Sequence, residues 1–216
     1  MIFNTDTAER IAENLLQIKA IKLNNSNPFT WASGLKSPIY CDNRIALSYP
    51  KLRTFIRQEL VKAIADEFGD VDLIAGVATA GIPQGILVAQ EMGLPFVYVR
   101  SSAKSHGMTN KIEGVLNSGQ SVVVVEDLVS TGKSSLAAVD ALEDAGAKVK
   151  GMVSIFTYGL ALADENFKKA KCRLVSLSDY NHLIKTAVAG NNISEKDRES
   201  LMNWRMDPKA WSDNQK

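Results

Sequence analysis

Beyond residue 69, hydrophobic positions fall into short, nearly continuous runs that alternate with segments of helical periodicity. The runs predict five strands, at residues 72–77, 95–100, 121–126, 149–156 and 173–177. The segments between them predict helices at about residues 82–92, 132–145 and 160–170. Strands that are apolar throughout are typical of a parallel sheet buried under helices on both faces. The pattern therefore predicts an α/β fold with a doubly wound, mainly parallel sheet.

Two helical patterns and a turn-rich stretch precede this alternation. Asp6 and Glu9 form a capping pattern ahead of an apolar stripe, which predicts a first helix. Ser48 and Pro50 predict the start of a second helix, because proline is tolerated in a first helical turn. We expect a single domain with three parts: a small irregular N-terminal segment (about 1–48), an α/β core (about 49–190) and a polar helical tail packed on the outside (191–216).

Composition and charge narrow the class of protein. The chain has 216 residues, with 25 Lys and Arg against 24 Asp and Glu, so its net charge of +1 provides no general attraction for nucleic acid or membrane surfaces. Cys41 and Cys172 are isolated, as are His106 and His182, which argues against a structural zinc site and favours reduced thiols. The charged N-terminus does not resemble a signal peptide, and no apolar stretch is long enough to span a bilayer. We expect a cytoplasmic globular protein in which His182 is structural.

The strongest chemical signal is the segment VVVVEDLVSTGKSS, from Val122 to Ser135. A buried strand ends in two carboxylates, and a turn of small hydroxyl residues then opens a helix, where free N–H groups can hold a phosphate. Because carboxylates repel phosphate, Glu126 and Asp127 must face another group, such as sugar hydroxyls. The combination predicts a ribose 5-phosphate site, although either Asp127 or Ser130 alone would more simply be a helix cap. A nucleotide-binding P-loop is excluded, because Asp127 stands where that motif requires its first glycine.

Two further strand ends carry groups suited to anions. Arg100, Lys104 and His106 follow the second strand, and no acidic residue occurs between Glu91 and Glu113. Such a cationic segment suits pyrophosphate. Its glycines, Gly107 and Gly114, would allow a lid to close, whereas the simpler interpretation is a solvated surface loop. After the first strand, GVATAGIP opens a helix and offers backbone N–H groups to an anion. Glycine-rich turns between a strand and a helix are, however, also common where nothing binds.

Taken in chain order, these segments resemble the sequence motifs of the type I phosphoribosyltransferases. VVVVEDLVSTGKSS resembles the motif that binds 5-phosphoribosyl 1-pyrophosphate (PRPP), and GVATAGIP resembles the pyrophosphate loop. R-x-x-x-K-x-H-G resembles the mobile catalytic loop of the orotate phosphoribosyltransferases, and Phe29–Tyr40 resembles the FTxxSGxKSP hood that covers the base. The resemblance covers roughly residues 27–158 and implies the type I phosphoribosyltransferase fold with a small N-terminal hood.

The resemblance also implies roles for individual residues. The implied catalytic residues are Lys104, His106 and Asp127. The implied PRPP-binding residues are Arg100, Lys104, His106, Glu126, Asp127, Leu128, Val129, Ser130, Thr131, Gly132, Lys133 and Ser134. The implied pyrophosphate loop consists of Thr79, Ala80 and Gly81, with a non-proline cis peptide expected at Thr79–Ala80. The implied orotate-binding residues are Ser130, Lys36, Tyr40 and Tyr158.

The activity implied by the resemblance is the Mg²⁺-dependent transfer of the phosphoribosyl group from PRPP to orotate. The products would be orotidine 5′-monophosphate and pyrophosphate, in the biosynthesis of pyrimidine nucleotides (UMP). Mg²⁺ would travel with PRPP, so no dedicated protein cage is expected. The resemblance further implies a homodimer in which the loop at 100–114 serves the neighbouring subunit, with no nucleic-acid or membrane partner.

Several positions depart from the family pattern, and two alternatives stay open. Cations found in some members are replaced by Ser101, Ala32, Ala80 and Tyr158. A purine or uracil phosphoribosyltransferase would share the phosphate loop but would need a different hood. A PRPP-sensing regulator would need an added DNA-binding segment, and only about two dozen residues of mixed charge precede the hood.

Overall fold

The computed structural model describes residues 1–31, 34–101 and 111–215. Helix α1 (Thr5–Gln17) begins after Asn4, whose side chain accepts a hydrogen bond from the Thr7 N–H at 2.8 Å. The expectation that Asp6 caps this helix is therefore wrong, because Asn4 has the extended backbone of a cap and Asp6 already lies in the first turn. There its carboxylate interacts favourably with the helix dipole.

The N-terminal hood consists of four very short strands. They are β1 (Ile21–Leu23), β2 (Phe29–Thr30), β3 (Lys36–Ser37) and β4 (Ile39–Cys41). Strand β1 pairs with β4, and β2 pairs with β3, in both cases antiparallel. A 3₁₀ helix (Asn43–Ser48) then leads into the core.

The core is a six-stranded sheet flanked by helices, which confirms the predicted fold class. In chain order its elements are α2 (Pro50–Phe68), β5 (Leu73–Val77), α3 (Gly81–Met92), β6 (Phe96–Val99), β7 (Ile112–Glu113), β8 (Ser121–Val129), α4 (Lys133–Asp144), β9 (Lys148–Thr157), α5 (Ala161–Lys169), β10 (Leu174–Asp179) and α6 (Tyr180–Ala189). The strand order is β10-β9-β8-β5-β6-β7, and all neighbouring pairs are parallel except β6 with β7.

Both faces of the sheet are buried, and strand β8 shows why. Val123 and Val125 belong to a core cluster that includes residues of α1, α2, α3 and α6, whereas Val122 and Val124 belong to a second cluster with α4 and α5. All four valines are fully buried. A strand that faces two apolar layers cannot alternate polar and apolar residues, which explains the continuous valine run.

The C-terminal tail forms α7 (Glu195–Met206) and α8 (Pro208–Asp213). The polar helix predicted after residue 190 exists as α7. It packs against the rest of the chain through its apolar side, on which Leu201 and Trp204 are fully buried. The tail also supports the hood, since the backbone N–H of Lys36 donates to Oγ of Ser212 at 2.9 Å.

The topology determines where a ligand can bind. Strand β5 has β6 on one side and β8 on the other. From β5 the chain first adds β6 and β7 on one side of the sheet, and it then adds β8, β9 and β10 on the opposite side. The direction of winding therefore reverses between β5 and β8. Ligands of open α/β sheets bind in the crevice outside the carboxyl ends of the strands at such a switch point. In the part of the chain that the structure describes, no helix combines the length and apolarity needed to cross a membrane.

Candidate functional site

A cleft of about 340 Å³ lies at this switch point. It is lined by Cys41, Asp42, Arg44, Val77, Ala78, Thr79, Ala80, Glu126, Asp127, Leu128 and Ser134. The structure thus brings together the predicted acidic pair, the predicted pyrophosphate loop and the residues that follow the hood. A larger open groove of about 750 Å³ runs between α1 and α6, but it lies away from the carboxyl ends of the strands and contains none of the predicted site residues.

Glu126 and Asp127 lie next to each other near the end of β8, where Glu126 is buried and Asp127 is half-buried. Glu126 is only 5% exposed; its Oε2 accepts from the hydroxyl of Ser135 at 2.9 Å, and its Oε1 accepts from the backbone N–H of Asp127 at 3.0 Å. Burial, reinforced by the charge of Asp127, raises the pKa of Glu126 to about 8. Burial also raises the pKa of Asp127. Since Asp127 is the less buried of the two, it is the carboxylate better placed for a ligand in the cleft.

The buried carboxyl of Glu126 should make stability depend on pH. Its pKa is about 8 in the folded chain against an ordinary 4.5, so the folded state binds more protons than the unfolded state between these values. Stability should therefore fall as the pH rises through this window, by at most about 1.4 kcal/mol per pH unit. Glu126→Gln, which keeps the shape, should flatten this dependence. Denaturant unfolding of both proteins at several pH values between 5 and 8 tests this, and equal slopes would contradict it.

The phosphate loop joins β8 to the N-terminus of α4. Gly132 has a left-handed backbone with φ of +78°, and no side chain caps the N-terminus of α4. The first N–H groups of a helix without such a cap are suited to bind an anion. A Cβ on Gly132 would lie 2.7 Å from the Phe167 ring, which explains why glycine is required here. The residue before Phe167 in α5 also contacts the loop, since Nδ2 of Asn166 donates to the carbonyl oxygen of Thr131 at 2.9 Å.

The predicted pyrophosphate loop lies directly against the acidic pair. The cis peptide bond joins Ala78 and Thr79, one peptide earlier than the expected Thr79–Ala80. Gly81 begins α3 so close to β8 that an added Cβ would lie 2.5 Å from the carbonyl oxygen of Val125. A glycine at this position therefore allows the two loops to share one cleft.

Of the predicted cationic segment, Arg100 lies among the described residues. Arg100 lines a smaller hollow next to the cleft together with Lys111, Ser134 and Ala78. Its Nη1 lies 3.5 Å from Oε1 of Glu113, and its backbone N–H donates to the carbonyl oxygen of Lys111 at 2.8 Å. The predicted residues Lys104 and His106, and also Ala32, lie outside the described residues.

The predicted orotate-binding residues occupy different environments. Lys36 Nζ donates to Oγ1 of Thr30 at 3.0 Å, and Tyr40 is 39% exposed with its ring 5.8 Å from that of Phe29. Tyr158 is only 3% exposed. Its ring packs against those of Trp31 and Trp204, at centroid distances of 5.5 and 5.6 Å. The structure therefore leaves Tyr40 accessible on the hood and places Tyr158 in an aromatic cluster beneath it.

Sequence reasoning missed Asn43 and Arg44. Asn43 is 1% exposed, and its Nδ2 donates to the carbonyl oxygen of Asp127 at 2.8 Å. Arg44 makes a two-pronged pair with Asp42, with Nε–Oδ1 at 2.6 Å and Nη2–Oδ2 at 2.8 Å. This pairing lowers the pKa of Asp42. The segment Cys-Asp-Asn-Arg after an expected aromatic hood was visible in the sequence, but 84 residues separate Asn43 from Asp127, and no motif links them.

Comparisons with known proteins agree with this geometry. A family model described as "Phosphoribosyl transferase domain" matches residues 52–188. The chain is 56% identical over 206 residues to an orotate phosphoribosyltransferase of Phocaeicola vulgatus, covering 95% of this chain and 97% of that protein. It is 52% identical over 203 residues to one of Listeria monocytogenes, covering 94% and 97%. The crystal structure of orotate phosphoribosyltransferase from Aeropyrum pernix matches with a TM-score of 0.74 and 27% identity, over 83% of this chain and 99% of that one.

Proposed function

Because the chain belongs to the orotate phosphoribosyltransferases, within the wider phosphoribosyltransferase family, we propose that its cleft transfers the phosphoribosyl group of PRPP to orotate. The products are orotidine 5′-monophosphate and pyrophosphate, as pyrimidine nucleotide biosynthesis requires. The observation that carries the proposal is the meeting of the acidic pair, a helix N-terminus without a side-chain cap and the loop at 78–81 in one cleft. The free thiols of Cys41 and Cys172 support a reducing compartment such as the cytoplasm.

The acidic pair and the phosphate loop bind opposite ends of the phosphoribosyl group in this proposal. The N–H groups and hydroxyls from Ser130 to Ser134 hold the 5′-phosphate, while Asp127 accepts hydrogen bonds from the ribose hydroxyls. As the bond from the anomeric carbon to pyrophosphate breaks and a nitrogen of orotate bonds the same carbon, the ribose ring gains positive charge. A transition state of this kind parallels glycoside hydrolysis. Negative potential from Asp127 stabilises it.

The cationic loop acts on the leaving group. Arg100, at the edge of the cleft, anchors pyrophosphate, and Lys104 and His106 neutralise the charge that develops on it. We further propose that the loop at 100–114 serves the neighbouring subunit of a homodimer. This part of the proposal rests on the family pattern alone.

In this proposal the cleft takes a magnesium ion that PRPP brings with it. Mg²⁺ in phosphate sites keeps several waters and uses one or two carboxylates together with substrate oxygens, and Asp127 and Asp42 both line the cleft. When bound, the ion would supply further positive charge to the pyrophosphate.

Arg44 contributes to anion binding in this proposal. It is the one cationic side chain among the described residues that line the cleft, where it faces three acids. Asp42 binds Nε and Nη2 of the guanidinium group, so Nη1 takes no part in this pair. Arg44→Ala should therefore raise the KM of an anionic substrate by about tenfold, the usual effect of a charge-assisted hydrogen bond. Steady-state kinetics with each substrate varied in turn will show which substrate depends on Arg44. The control is Arg10→Ala, which changes an exposed arginine on α1. Unchanged KM values for both substrates would contradict the role.

The activity itself has a direct test. The purified chain is mixed with Mg²⁺, PRPP and one base: orotate, uracil, adenine or hypoxanthine. We expect the orotate ultraviolet band to disappear only when PRPP is present. Consumption of another base instead would indicate a different phosphoribosyltransferase, and PRPP binding without consumption of any base would indicate a sensor.

A further inference from the structure

The loop between the acidic pair and helix α4 is held by two asparagine side chains that lie outside its motif. Asn43 follows the hood strand β4 and donates from Nδ2 to the carbonyl oxygen of Asp127 at 2.8 Å. Asn166 lies in α5 and donates from Nδ2 to the carbonyl oxygen of Thr131 at 2.9 Å. The hood and the helical layer thus each hold one end of the same loop.

The end of β8 has a neighbouring strand on one side only. Strand β8 continues to Val129, and its pairing with β9 continues to Val129 as well, but its pairing with β5 ends at Val125. The amide of Asn43 adds a hydrogen bond to the backbone in this segment, and a buried polar contact of this kind is costly to remove.

The amide of Asn43 has a defined orientation. The side chain is 1% exposed, and its Oδ1 accepts from the thiol of Cys41 at 3.3 Å while its Nδ2 donates to Asp127. A thiol donates and a carbonyl accepts, so only one of the two amide orientations satisfies both partners. Asn43 is therefore a rigid link between the hood and the acidic pair.

We propose that Asn43 and Asn166 are positioning residues for the phosphoribosyl group. Asn43 sets Asp127 at the ribose end of the loop, and Asn166 sets Thr131 at the phosphate end. Both act through backbone carbonyls, which leaves the N–H groups and hydroxyls of the loop available to the ligand. The inference rests on the proposed function and assigns these two residues to the binding of PRPP.

The test compares three Asn→Ala variants of the full chain. Asn43→Ala and Asn166→Ala each remove one bond to the loop, and Asn14→Ala removes an equivalent bond from Nδ2 to the carbonyl oxygen of Arg10 in α1, far from the cleft. The readouts are kcat and the KM values for PRPP and orotate, with thermal unfolding of each protein. We expect both loop variants to raise the KM for PRPP by about tenfold, because small misplacements of a binding loop have effects of this order. The KM for orotate should change much less, and Asn43→Ala should also lower kcat.

The outcomes separate positioning from simple stabilisation. Loss of folded protein lowers kcat but leaves both KM values unchanged, so unchanged KM values for PRPP would overturn the proposal, as would equal effects of Asn14→Ala. Because Asn43 is buried, Asn43→Ala could fail to fold. Asn166 is half-buried, so Asn166→Ala then still tests the proposal. If the unmodified chain does not consume orotate with PRPP, the proposed function fails. The affinity of the same variants for ribose 5-phosphate, measured by calorimetry, then still decides whether the two asparagines position the loop.

Discussion

Asp127→Asn should lower kcat/KM for PRPP by about 10², the scale on which a single electrostatic contact to a transition state acts. The substitution keeps the shape of the side chain and removes its negative charge. In the proposed function Asp127 contacts the ribose and not the base, so the affinity for orotate should change far less. Kinetics with each substrate varied separately, together with orotate binding in the absence of PRPP, measure the two effects.

Stability should distinguish this loss of activity from damage to the fold. Burial raises the pKa of Asp127, and its charge raises that of Glu126 further, so the ionised pair is unfavourable in the folded state. Removing one of the charges should leave the unfolding temperature at pH 8 unchanged or higher. Asp140→Asn, at an exposed position on α4, is the matched control and should alter neither property. Equal losses in the use of PRPP and the binding of orotate would contradict the assignment of Asp127 to the ribose.

The sequence predicts the core of this fold well, because long buried elements have a strong periodic signal. All five predicted strands exist, and β8 even extends beyond its prediction, to Val129. Helix α6 was not predicted, since it begins at Tyr180 directly after β10 without an intervening turn signal. The hood strands have only two or three residues each, which is too short for any period to show. Their pairing is determined by tertiary contacts.

In the candidate site, too, the residues of local sequence motifs were predictable, whereas those that act through tertiary contacts were not. The acidic pair, the phosphate loop and the loop at 78–81 were predictable because each is a contiguous motif at a strand end, and topology brings strand ends together. Asn43 and Asn166 were not predictable, since each acts on a backbone carbonyl, an acceptor that every residue carries. Tyr158 was expected at the base because of its place in the family pattern, but whether it faces the cleft depends on Trp31 and Trp204, which lie far from it in the sequence.

Gly81→Ala should reduce kcat by about 10² and destabilise the fold by about 1–3 kcal/mol, the range for overpacking a closely fitted contact. An added Cβ would lie 2.5 Å from the carbonyl oxygen of Val125 and 3.5 Å from Cα of Glu126. Both are backbone atoms of the central strand, so they cannot move aside as a side-chain end would. The loop at 78–81 must instead move away from β8, which widens the cleft. In the proposed function this cleft holds pyrophosphate and ribose together.

Gly190→Ala provides the matched control for this effect. Gly190 has φ of −85°, and its added Cβ would meet first the side-chain amide of Asn192, which can rotate away. The control should therefore change stability by no more than about 0.5 kcal/mol and leave kcat unaltered. Chemical unfolding and steady-state kinetics on both variants give the comparison. If Gly81→Ala retained full activity, the close contact between the loop and β8 would not be required for catalysis; if it lost only stability, the loop would be a structural element and not part of the site.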